Sequence, residues 1–284
     1  MPLPALIIHG GAGAREGVHT TFRRYADSLD VIVESAWAVL RAEGAQAAVM
    51  RALRDLEDDP VFNAGLGSRL QADGAARMSA ALMDGATGRF AGVINVEDIR
   101  HPIDVALSLH GSDHAVLAGD QATRHAREVL GFEAFDPVTE HRREEHARSA
   151  AGRSGTVGAV AVDEAGQLWV GTSTGGVGYE TPGRVSDSAT VAGNYASSAV
   201  GVSCTGIGEQ IVDHAVAARV VLRVDDGATL DEAVARTIAE ADAKELEYGL
   251  IALDAAGHAV AARTRDVTTL YCIRDEAGRR GFLD

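Results

Sequence analysis

Cysteine is close to absent from this chain, with only Cys204 and Cys272 in 284 residues. Two thiols so far apart make no CxxC pair or other metal spacing. The expectation is two buried, reduced cysteines in the apolar stretches Val200 to Thr205 and Leu270 to Ile273, in a cytoplasmic protein. Aromatic residues are scarce, at 5%, and basic residues are outnumbered, with 26 Lys+Arg against 41 Asp+Glu and a net charge of −15. That field repels a polyanion, and no basic cluster with interleaved aromatics relieves it, so no nucleic-acid partner is expected. Long hydrophobic runs are missing too. Nowhere do about 18 apolar residues follow one another, and no membrane span is expected. The start, Met-Pro-Leu-Pro-Ala-Leu-Ile-Ile-His-Gly-Gly, lacks the basic n-region of a signal peptide.

What is abundant is glycine, with 32 residues, in a chain that is 46% hydrophobic. This predicts many tight turns around a core of small aliphatics, enough for one large domain or two small ones. Leu6 to His9 reads as a short buried strand entering a glycine turn, His9-Gly10-Gly11-Ala12-Gly13. Leu29, Ile32, Val33, Ala36 and Leu40 share one helical face, and Ala45, Ala48, Val49, Ala52, Leu53 and Leu56 share another, with Gly44 between them as a C-cap. After the loop Asn63-Ala64-Gly65-Leu66-Gly67, two strands flank Asp84 to Gly88. Short helices are predicted from Pro102 to Leu109 and from Asp120 to Leu130. Asp-x-x-Gly turns at Asp163, Asp254 and Asp275 each join two β-rich runs, so the sheets are largely antiparallel. One helix carries Ile211, Ala215, Ala218 and Leu222; another opens with the capping box Thr229-Leu230-Asp231-Glu232. Hairpins and helices in both halves imply sheets with helices grouped on their outer faces.

Residues 136–155 interrupt this order. Mixed charge is followed by Ser149-Ala150-Ala151-Gly152-Arg153-Ser154-Gly155, which has almost nothing to bury. The composition is that of a mobile linker, and the charge run also reads as a solvated helix end. Order resumes at Thr156. A threonine hydroxyl attacks a carbonyl only when a base takes its proton. A threonine made N-terminal by cutting the bond before it carries its own base. The α-amine has an unperturbed pKa of about 7.7–8.0, suited to that work at neutral pH. By composition alone, Thr156 is equally an ordinary strand residue. Thr205 and the N–H of Gly206 stand at a strand-to-helix junction, where donors can hold an oxyanion. Arg184 and Asp187, in Pro182-Gly183-Arg184-Val185-Ser186-Asp187-Ser188, could read an α-carboxylate and an α-amine, or could form a surface ion pair.

Taken together, these clusters resemble the plant-type L-asparaginase and isoaspartyl peptidase family of N-terminal-nucleophile hydrolases. The motifs that carry the likeness are HGGAG from His9, FNAGLGS from Phe62, MDG from Met83, GTVGAV from Gly155, GTSTGG from Gly171, PGRVSDS from Pro182 and SCTGIGE from Ser203. They span most of the chain. The resemblance implies an α+β fold, a four-layer αββα sandwich with two mainly antiparallel sheets between helical layers, as one domain over residues 1–284. It implies autocleavage between Gly155 and Thr156, giving an α subunit of 1–155 and a β subunit of 156–284, and a homodimer of such protomers. It makes Thr156 nucleophile and base, with Thr174 beside it, and Thr205 and Gly206 the oxyanion hole. Arg184 would take the substrate carboxylate, Asp187 and the carbonyl of Gly208 its ammonium, and the Asn63 loop would approach the site. No cofactor serves the chemistry. A structural sodium ion is implied on the main-chain carbonyls of Leu56, Glu57, Asp59, Phe62, Ala64 and Leu66. The substrate would be asparagine or a β-aspartyl dipeptide. The chain departs from the family at Val177-Gly178-Tyr179-Glu180-Thr181, at Ser186, at Arg153-Ser154 and at Arg263-Thr264-Arg265-Asp266. Those departures bear on leaving-group preference and processing rate.

Three rival readings follow from the residues. Gly171-Thr172-Ser173-Thr174-Gly175 fits the GxSxG elbow of an α/β-hydrolase esterase, with Asp254 and His258 completing a triad, though glycines and Pro182 follow where the elbow needs a helix. His110 and His114 have a metal-like spacing without supporting carboxylates. A non-catalytic aspartate-binding relative on the same fold is the third.

Overall fold

The computed structural model describes residues 4–14, 19–148 and 155–283. Strands β1 (Ala5–Ala14), β2 (Met78–Asp84), β3 (Arg89–Val96), β4 (Val116–Ala118), β5 (Val157–Val162), β6 (Leu168–Thr174), β11 (Val267–Asp275) and β12 (Gly278–Gly281) build one eight-stranded sheet, ordered β12-β11-β1-β5-β6-β2-β3-β4. Strands β7 (Asn194–Ala196), β8 (Val200–Gly206), β9 (Tyr248–Asp254) and β10 (Ala259–Arg263) build a second, ordered β10-β9-β8-β7. Every pairing is antiparallel except β3 with β4. The Asp turns act as read: the carboxylates of Asp163, Asp254 and Asp275 each accept the N–H two residues on, closing β5–β6, β9–β10 and β11–β12.

Three apolar layers make this a sandwich. Helices α1 (His19–Glu43), α2 (Ala45–Asp58) and α3 (Pro102–Ser108) cover the outer face of the large sheet, with both predicted helical faces buried there. Gly44, at φ 93°, makes the break between α1 and α2. Helix α4 (Gly119–Arg124) and a π turn (His125–Val129) follow at the β3–β4 edge. Residues such as Ile7, Val160, Val170, Ile251 and Leu253 fill the space between the sheets. Helices α7 (Val216–Asp225) and α8 (Leu230–Asp242) cover the small sheet, and the capping box Thr229–Glu232 opens α8. The architecture is α+β, with two largely antiparallel sheets between helical layers.

Three sequence expectations change. The glycine run after His9 does not turn: β1 continues through it to Ala14, with a bulge between His9 and Ala12 against β11. The helix read through Ile211 and Leu222 is two helices, α6 (Gly208–His214) and α7, broken at Ala215 with φ 47°. The break rotates the phase, so Val216, Ala217, Val220 and Val221 are buried while Leu222 is 55% exposed. Within 136–155, where composition reads as linker, Glu140–Ala147 form helix α5, capped by Thr139. Its Arg142 is buried and donates from Nε to Gly67 O at 2.7 Å and from Nη1 to Glu145 at 2.7 Å. Residues 149–154, including Arg153 and Ser154, lie outside the described residues.

Candidate active site

The sheets bring distant motifs to one end of the sandwich. Thr156 immediately precedes β5, which lies between β1 and β6 in the large sheet, and it is buried. Side chains alternate along a strand, so Thr172 and Thr174 share a face of β6, and Ser203 and Thr205 share a face of β8. Ser203 fixes which face that is. Its Oγ lies 2.8 Å from both His9 Nε2 and Thr172 Oγ1, over Gly158, where any Cβ would collide with it. This buried bridge ties the two sheets together beneath the site. Burial pushes the His9 imidazole down to about 3, so it is neutral. One pleat further on, Thr174 lies beside Thr156, and Thr205 is buried in β8. Thr156 Oγ1 donates to Thr174 Oγ1 at 3.2 Å and lies 3.5 Å from Ser188 Oγ.

Gly206 ends β8 at φ 145°, pressed so closely on Tyr248 that a Cβ would lie 2.5 Å from its Cα. Gly208 opens the following turn of helix. A Cβ there would lie 2.8 Å from Asp187 Oδ1 and 2.9 Å from Arg184 Nη2, so the three predicted α-group residues converge on one point. Asp187 is buried and its Oδ2 has no hydrogen-bond partner. Burial pushes its carboxyl up to about 7, with its own backbone N–H and Arg184 opposing the rise. Arg184 forks onto Glu209, Nε to Oε1 at 2.6 Å and Nη2 to Oε2 at 2.8 Å. Its carboxylate partner is therefore Glu209 and not Asp187, and its side chain is only 12% exposed, so the surface pair of Arg184 with Asp187 does not form.

Asn63 closes the opposite side. Its Nδ2 donates to Gly176 O at 2.6 Å, its Oδ1 accepts from Arg69 N–H at 3.0 Å, and its main-chain O accepts from Gly175 N–H at 2.8 Å. It packs directly on Gly155, whose Cα also abuts Gly11 of the bulged β1. The loop from Leu56 to Leu66 folds back on itself, with Leu66 N–H donating to Glu57 O at 2.7 Å and Phe62 N–H to Asp59 O at 3.1 Å. Its donor set is oxygen alone, which suits a hard cation. Glu57 O, Asp59 O and Phe62 O already accept hydrogen bonds, the last from the Arg142 guanidinium at 3.5 Å. No cluster of His, Cys, Asp or Glu suited to a metal occurs among the described residues.

The rival sites do not assemble. Ser173 is fully buried in β6 with no helix after it, and its hydroxyl donates to Glu57 Oε1 at 2.6 Å. His258 pairs with Asp231 at 3.1 Å in an exposed turn. His110 packs against the Trp169 ring. Sequence reasoning assigned no role to Ser188, the His9–Ser203–Thr172 bridge or Arg142. Ser188 carried the one available signal, its place beside Asp187.

The αββα layering is that of an N-terminal-nucleophile hydrolase sandwich. The family model described as "Asparaginase" matches residues 2–152 and 141–280, and the chain belongs to that family. It is 44% identical, over 93% of its length and 90% of the relative's, to an isoaspartyl peptidase/L-asparaginase of Nostoc sp.. It is 36% identical to a plant-type L-asparaginase of Thermococcus kodakarensis, over 76% of this chain and 78% of that one. An isoaspartyl peptidase of Escherichia coli is also 36% identical, over 89% of this chain and 87% of its own.

Proposed function

We propose that this protein is a self-processing amidohydrolase that releases aspartate from asparagine and from β-aspartyl dipeptides. What supports this reading is that Thr156 meets Thr174 and Ser188, next to the Asp187, Arg184 and Gly208 cluster, in a chain whose relatives bear those enzyme names. Cleavage before Thr156 gives its hydroxyl an α-amine as base. The hydroxyl, oriented by Thr174 and Ser188, adds to the β-carbonyl, and its proton passes to the α-amine. Thr205 and the N–H of Gly206 stabilise the oxyanion. The C–N bond breaks as the α-amine returns the proton to the leaving nitrogen. Water then adds to the Thr156 ester and aspartate departs. Asp187 and Gly208 O hold the substrate ammonium. Arg184 takes the α-carboxylate by exchanging Glu209 for it. A sodium ion on the Leu56–Leu66 carbonyls would be structural and would take no part in these steps. A cytoplasmic homodimer of α–β protomers completes the reading; no helix among the described residues is long and apolar enough to cross a membrane.

Intact mass of the aged protein tests the first step. Two fragments are expected, the second beginning at Thr156, with ammonia released from asparagine. Thr156→Ala should stay a single inactive chain. Normal turnover by that variant would overturn the mechanism.

A further inference from the structure

Beside Gly155 lies a cavity of about 210 Å³ whose walls include Phe22, Tyr25, Phe62, Leu270, Arg69 and Arg142. We propose that in the processed enzyme this cavity is the leaving-group subsite, its Arg69 reading the free carboxylate of a β-aspartyl dipeptide and its aromatic wall an apolar side chain. The inference rests on the amidohydrolase reading above.

Proton transfer constrains the location. The Thr156 α-amine must return its proton to the leaving nitrogen, so that nitrogen sits within about 3 Å of Thr156 N. In the unprocessed chain Thr156 N is bonded to Gly155. Gly155 lines this cavity, so the cavity opens within reach of the leaving nitrogen. The two guanidiniums there are unequally committed. Arg142 is spent on Gly67 O and Glu145. Arg69 gives Nη1 to Val177 O at 3.1 Å and holds Nη2 3.8 Å from Glu145, while its buried Nε has no hydrogen-bond partner. Burial and the neighbouring Arg142 disfavour its charge, with Glu145 and Glu180 opposing them. A planar carboxylate can engage the uncommitted edge of that fork. Asparagine, which loses ammonia, leaves the subsite unused.

The test compares kcat/KM of the processed enzyme for β-aspartyl-leucine, β-aspartyl-leucinamide and asparagine. The free acid should exceed the amide by about tenfold or more, the scale of one charge-assisted contact. Arg69→Gln should bring that ratio to within about twofold of unity, whatever it does to absolute rates, and Arg69→Lys should keep part of it. The contact between Arg69 and Asn63 is made by the main chain and survives either change. A wild-type ratio near one, or a ratio unmoved in Arg69→Gln, overturns the subsite alone. Failure to turn over any of the three substrates overturns the amidohydrolase reading and the subsite with it.

Discussion

Asp187 carries the largest electrostatic consequence of any single residue in the proposed site. Its carboxyl, pushed up to about 7 by burial, ionises as pH rises through that value. Only the ionised form attracts an ammonium, so kcat/KM for asparagine should climb between pH 6 and 8. Stability runs the other way. The unfolded chain releases this proton near the ordinary 3.8, while the native chain keeps it to about 7, so the fold loses stability as pH rises across that window. Asp187→Asn removes the uncompensated charge. It should lower kcat/KM more than about a hundredfold, as truncating a buried charge pair does. It should also raise Tm at pH 8 by a few degrees, and by less at pH 5. Thermal melts at the two pH values check this; a lower Tm at pH 8 would mean that the carboxylate has a partner. The residue types of the site were legible in the sequence because their chemistry is rare in combination. Arg142 was not, because a buried arginine within a run of charge looks like any solvated one.

At the scale of elements, the α6–α7 break shows where periodicity fails. The stretch from Ile211 to Leu222 keeps a helical pattern, yet Ala215 adopts left-handed geometry and resets the buried face. An L-residue in that region costs roughly 1–2 kcal/mol, and glycine's extra unfolded-state entropy offsets part of the relief. Ala215 is exposed. Ala215→Gly should therefore stabilise the protein by about 0.5–1 kcal/mol, read as a higher denaturant midpoint at unchanged slope. Helix α5 was obscured for a different reason. Its stability comes from Thr139, from Arg142 on the Phe62–Gly67 loop and from the Gly67 N–H on Pro137 O at 2.8 Å, contacts that no local pattern encodes.

Across the whole molecule, the order of the large sheet interleaves the two halves of the chain. β12 and β11 come from after Thr156, β1 from before, β5 and β6 from after, and β2, β3 and β4 from before. A cut at Gly155 leaves β1 and β2 of the first fragment paired directly with β11, β5 and β6 of the second. The processed fragments should coelute on size exclusion and separate only in denaturant. Separation under native conditions would contradict this topology.

The sequence by itself determined most of the elements and the chemical cast. Period-3.6 faces, Asp-x-x-Gly turns, the capping box and the glycine-threonine clusters are local signals, set by side chains a few residues apart. Only the tertiary structure decided what meets what. Ser203 reaches His9 and Thr172, Gly208 gives Asp187 and Arg184 a common point, and Asn63 lies on Gly155, because two sheets stack in one register. Such contacts join residues tens to hundreds of positions apart. They are fixed by strand pairing and layer packing, which no short window of sequence contains.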